Sequence, residues 1–82
     1  DLNLPDTDGH EVLAQVKQSP SLCVIPLIVL TTSANPRDVN QCYCQGANGY
    51  QVKSANYESF KSEVQRTMEY WLRTVVIPKF DE

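Results

Sequence analysis

The sequence predicts an α/β fold: a parallel sheet with helices on both faces. Three observations carry this. Extended and helical signatures alternate along the chain, which is how βαβ units read. Pro26-Leu-Ile-Val-Leu-Thr31 is a continuous β-branched and apolar run, as expected of a strand covered on both faces. The helical segments carry their own start and stop residues.

Taken in order, Asp1 to Leu4 reads as the end of a strand, and Pro5-Asp6-Thr7-Asp8-Gly9 as a turn. A helix follows from about Gly9 to Lys17, with Val12, Leu13 and Val16 on one face, and Ser19-Pro20 stops it. The apolar run ending at Thr31 is the second strand, and Thr32 to Asn35 is a polar loop. Asn35 suits an N-cap, Pro36 the first helical position, and Asp38 the positive end of the next helix. That helix runs to about Gln45, with Val39, Cys42 and Tyr43 inward, and Gly46 ends it. Gly49 to Lys53 alternates as a third strand. Asn56 caps a long helix with a stripe of Phe60, Val64, Met68 and Trp71, and Val75 to Pro78 forms a short extended tail. The crossovers should be right-handed.

Composition narrows the function. The 82 residues suffice for one domain, and the formal net charge is -3 with its cations spread out, so no nucleic-acid partner is expected. The longest apolar stretch, from about Leu22 to Leu30, is broken by Pro26 and is too short to span a membrane. Cys23, Cys42 and Cys44 form no C-x-x-C and no even set, which fits a reducing cytoplasm better than a disulfide framework. Cys42 and Cys44 read as one buried and one exposed thiol, and His10 as a surface residue. Asp1, Asp6 and Asp8 lack the spacing of a calcium loop, and no G-x-S-x-G or glycine-rich phosphate loop is present.

In open parallel sheets, sites form at the carboxyl ends of strands. The three strands end at Asp1, Thr31 and Lys53. A carboxylate can attack a phosphoryl group, a hydroxyl can bond its oxygens, and an ammonium can neutralise its charge.

These positions lie inside longer motifs. Asp1-Leu-Asn-Leu-Pro5-Asp-Thr-Asp8-Gly9 resembles the segment that follows the phosphoacceptor of response regulator receiver domains. Leu30-Thr31-Thr32-Ser33 resembles the switch segment, and Gly46-Ala-Asn-Gly-Tyr50-Gln-Val-Lys53 the G-A-x-x-[YF]-x-x-K segment of that family. The Leu-Thr-Thr-Ser loop, Lys53-Ser54 and Tyr70-Trp71-Leu72 further resemble single-domain regulators that partner bacterial phytochrome-type histidine kinases.

The resemblance implies the C-terminal part of a flavodoxin-like, doubly wound sheet: its last three strands with three helices. Residues 1–73 would be a partial receiver domain and 74–82 a C-terminal tail. Asp1 would be the phosphorylated residue. Asp1 and the backbone carbonyl of Asn3 would be ligands of Mg²⁺ in the intact domain. Thr31 and Tyr50 would be the switch residues, Lys53 the phosphoryl-binding residue, and Pro5, Asp8 and Gly9 the loop-shaping residues. The implied partners are a sensor histidine kinase, of the phytochrome type in the narrower match, and a second copy of the chain through the last helix-strand-helix face, which includes Tyr50 and residues 37–45. The implied protein is a two-component regulator rather than an enzyme.

Two departures stand out. Ser54 follows Lys53, where the family usually has proline. The acidic pair that the family carries on its first strand is not in these 82 residues, so the sequence reads as an N-terminally truncated piece of a longer protein. The alternative is a receiver-like protein-binding module that accepts no phosphate, and the identity of that pair in the parent discriminates the two.

Overall fold

The computed structural model of the chain describes Leu2 and residues 8–79. Five elements and a terminal π turn follow one another: α1 (Gly9–Gln18), β1 (Ile28–Thr31), α2 (Pro36–Cys44), β2 (Gly49–Val52), α3 (Tyr57–Glu69) and the π turn (Tyr70–Thr74). The strand end read at residues 1–4 lies, apart from Leu2, outside the described residues.

Each helix begins on an Asx side chain. Asp8 accepts from the His10 N–H, Asn35 from the Arg37 N–H, and Asn56 from the Ser59 N–H, satisfying donors that a helix start leaves unpaired. Pro36 opens α2 where a missing N–H costs nothing. Helix α1 ends at Ser19, immediately before Pro20. Gly46 ends the α2 segment with φ 105°, a conformation open to glycine and strained for other residues.

Strands β1 and β2 pair in parallel, in the register Ile28 to Gly49 through Thr31 to Val52. The pleat divides β1 between two surroundings. Val29 joins the buried cluster of Leu2, Leu13, Cys42 and Ala47, against which Leu27 and Tyr50 pack. Ile28 and Leu30 instead face a groove of about 410 Å³, walled on its far side by Val64, Met68 and Trp71. A hydrogen bond from the Thr67 hydroxyl to Gln51 Oε1, 2.6 Å, ties α3 to β2 across that groove.

The core is narrower than the sequence stripes suggest. On α1 only Leu13 is buried, while Val12 is exposed. On α2 Cys42 is fully buried and Tyr43 is half exposed, because that helix rests on α1 and β2 along its Cys42 side. Cys44 and Cys23 are exposed, and all three thiols are free. Met68 on α3 is exposed. The tail from Val75 to Lys79 makes no regular structure. No cis peptide bond occurs among the described residues, so Ser54 follows Lys53 through a trans bond. Among the described residues no helix is long and apolar enough to cross a membrane.

Candidate functional site

The parallel pairing of β1 and β2 brings two of the sequence-predicted residues to one edge. Thr31 is the last residue of β1 and is completely buried. Lys53 directly follows β2, and its N–H donates to the Thr31 carbonyl at 2.7 Å. The ladder therefore continues one residue past the strand and sets the two residues side by side. Lys53 is half-buried.

Thr31 Oγ1 accepts a hydrogen bond from the Ser33 N–H at 3.1 Å. This side-chain-to-backbone turn bends the chain as it leaves the strand. Tyr50, opposite Val29 in the register, reaches the same bend. Its hydroxyl donates to the Ser33 carbonyl at 2.8 Å. Tyr50 is half-buried, with its hydroxyl turned towards the loop after β1.

Ser33 is also held from α2. Its hydroxyl donates to Asp38 Oδ2 at 2.5 Å, a short bond to a charged acceptor. Asp38 Oδ1 lies 3.5 Å from His10 Nε2. The Ser33 hydroxyl keeps the Asp38 carboxyl below its ordinary range, against some desolvation, and His10 and Arg37 add to the lowering. His10 thus departs from the surface position read in the sequence. Its side chain is 14% exposed, wedged between α1 and α2, with Nδ1 3.2 Å from Gln45 Oε1. Position alone, at a helix start beside glycine, could not show that α2 would close over it.

Asp8 and Gly9 have plain local roles. Asp8 is the N-cap of α1, which the turn motif alone does not reveal. The Gly9 N–H donates to the Leu2 carbonyl at 3.0 Å, and the Leu2 side chain is buried in the main cluster. The residue after Asp1 is therefore anchored to both α1 and the core. Asp1, Asn3 and Pro5 lie outside the described residues.

Cys42, His10 and Asp38 stand in a row, with Cys42 Sγ 3.7 Å from His10 Nδ1. They do not make a nucleophilic site. Burial, with the Asp38 charge behind it, pushes the Cys42 thiol above its ordinary pKa, whereas a reactive cysteine needs a lowered one. No group of three or more His, Cys, Asp or Glu residues among those described is placed to hold a metal ion.

Residues 1–65 match the response regulator receiver domain family. The chain is 49% identical over 78 residues to response regulator Rcp1 of Synechocystis sp., covering 95% of this chain and 53% of that protein. It superposes on the crystal structure of the Mn(2+)-bound form of Rcp1 with a TM-score of 0.91 at 48% identity, over 96% of this chain and 57% of the other. The phosphorylated cyanobacterial phytochrome response regulator RcpA gives a TM-score of 0.94 at 44% identity, over 96% and 56%. The chain thus spans about half the length of these relatives. The parallel strand pair, the shared strand-end edge and these matches together place the chain in the response regulator receiver domain family.

Proposed function

We propose that this chain is the larger part of a phospho-accepting switch in a two-component relay, and that Asp1 is its acceptor. A carboxylate oxygen of Asp1 attacks phosphorus on a phosphohistidine of the sensor kinase. The P–N bond breaks, the histidine nitrogen keeps the electron pair, and an acyl phosphate forms on Asp1. Lys53 neutralises the added charge, Thr31 turns its hydroxyl to a phosphoryl oxygen, and Tyr50 follows the loop that Thr31 leaves. The observation that carries this reading is the Lys53 N–H to Thr31 carbonyl bond, which joins the backbones of these two residues at one sheet end.

Two relatives support the chemistry: one structure is described as Mn(2+)-bound and another as phosphorylated. A bound Mg²⁺ would neutralise phosphoryl oxygens. This chain would offer it the Asp1 carboxylate and the Asn3 carbonyl, both outside the described residues, while the described residues supply no ligand set of their own. The kinase would be of the phytochrome type, as the description of RcpA suggests for that relative. Residues 1–73 would form the receiver portion and 74–82 a tail. The partner face would comprise α2, β2 and α3, and self-association through it belongs to the same proposal.

The test is chemical. The full-length protein is phosphorylated with acetyl phosphate and Mg²⁺, and the adduct is trapped and mapped. Label on Asp1, lost in Asp1→Asn, is expected. Label on Asp6 or Asp8 that survives Asp1→Asn would overturn the assignment.

A further inference from the structure

We propose that Asp38 is a positioning residue for the switch: held by His10, it fixes Ser33, and through Ser33 it sets the arrangement of Thr31 and Tyr50. Its consequence for signalling rests on the phosphoryl-switch reading above, whereas its geometry does not.

Ser33 is engaged at every polar group it owns. Its N–H serves Thr31 Oγ1, its carbonyl takes the Tyr50 hydroxyl, and its own hydroxyl donates to Asp38 while accepting from the Asn35 N–H at 3.3 Å. A loop residue bound this way cannot move for Thr31 without moving for Tyr50. The anchor that decides where it sits is Asp38, in the first turn of a regular helix. The Asp38 oxygens are divided, Oδ2 to Ser33 and Oδ1 to His10.

His10 carries the contact to the other end of the site. It is the second residue of α1, and its N–H is bonded to the Asp8 cap. The preceding N–H, of Gly9, is bonded to the carbonyl of Leu2, the residue next to Asp1. A continuous series of contacts thus runs from the chain beside the acceptor to Tyr50 by way of two helix starts. The other polar groups around His10 are Gln45 and Cys42, both on Nδ1, and Arg37 stands near Asp38. Such a series has functional content only if its members are energetically coupled, and coupling is measured by double-mutant cycles.

The experiment uses the full-length protein with Asp38→Asn, Tyr50→Phe, the double variant, and Asn40→Ala as a control on the same helix. The Tyr50 ring signals are recorded by NMR without phosphodonor, and the acyl-phosphate lifetime is measured after acetyl phosphate and Mg²⁺. Asp38→Asn is expected to shift the ring signals and to change the lifetime by about threefold or more. In the double variant the two effects on the lifetime should combine to less than their product, and Asn40→Ala should change neither readout. Should Asp38→Asn fold poorly, His10→Gln leaves the carboxylate in place and should give a smaller change of the same sign. Wild-type ring signals and lifetime in Asp38→Asn, or effects that multiply independently in the double variant, would overturn the proposal. A wild-type protein that takes up no phosphoryl group defeats the switch reading instead, and the ring signals still decide the role of Asp38.

Discussion

Lys17 Nζ lies 2.7 Å from Oδ1 of Asn48, 31 residues further along the chain. The same oxygen accepts from the Leu27 N–H at 2.8 Å, and the same ammonium donates to the Ile25 carbonyl at 2.9 Å. The end of α1 and the approaches to both strands thus meet at one cation. Lys17→Met should lower stability by about 1–2 kcal/mol. Lys61→Met, on the exposed side of α3, should stay within about 0.5 kcal/mol. Urea midpoints of the full-length variants check both values.

A methyl group at Gly46 would meet the same lysine. An added Cβ falls 3.0 Å from Lys17 Cγ, at a φ of 105°. Gly46→Ala therefore combines an unfavourable backbone with displacement of the Lys17 stem. A loss of roughly 1–2 kcal/mol is expected from equilibrium unfolding. The loss should shrink in a Lys17→Ala background if the clash contributes.

The three thiols should separate cleanly. Cys23 and Cys44 are exposed, whereas Cys42 is buried and its pKa is raised by desolvation. A maleimide at neutral pH should label Cys23 and Cys44 quickly and Cys42 only on unfolding. Mass mapping of the labelled peptides reads the result, and fast labelling of Cys42 in the native protein would contradict the packing of α2.

Lys53 and Lys61 give a paired test of the strand-end ammonium. Lys53 follows β2 at the edge shared with Thr31, while Lys61 is exposed on α3. Lys53→Ala should slow phosphorylation by acetyl phosphate by about tenfold or more, and Lys61→Ala should leave the rate unchanged. Equal rates for the two variants would remove Lys53 from the site.

Asp38 sets a pH dependence whose sign is fixed. Its carboxyl titrates below the ordinary 3.8 in the folded protein. A depressed folded pKa adds stability above the unfolded value and loses it as pH falls through the folded value. Stability measured from pH 5 downwards should therefore fall less steeply in Asp38→Asn than in the wild type. Parallel curves would place the lowering elsewhere.

Most of the fold was legible because its signals are local. The Asn35 and Asn56 caps, the Pro36 start, the Gly46 stop and the apolar run into Thr31 each act within a few residues of themselves. The strand ends follow from the same signals, so the sequence alone sets Thr31 and Lys53 at neighbouring strand ends. What stayed illegible depends on long-range closure. His10 is separated from Gln45 by 35 positions, and nothing near it in sequence indicates that α2 will bury it. The bond from the Tyr50 hydroxyl to the Ser33 carbonyl spans 17 positions and depends on the path of a loop. Lys17 looked like one scattered cation among seven, because its acceptors are backbone carbonyls and a distant Asn.

The four side chains of β1 belong alternately to two neighbourhoods, and this has a consequence for how such a protein can diverge. Val29 and Thr31 answer to the α1 and α2 side, and Ile28 and Leu30 to the groove beneath α3. Ile28 and Leu30 also border a smaller cavity beside Leu13, whereas Thr31 lines neither it nor the groove. Substitutions that reshape the groove for a different neighbour need not disturb the hydroxyl at the strand end, and changes around that hydroxyl need not alter the groove. A lineage can then exchange what it docks with while keeping its chemistry, and two genes copied from one ancestor can part company on one side of a single strand.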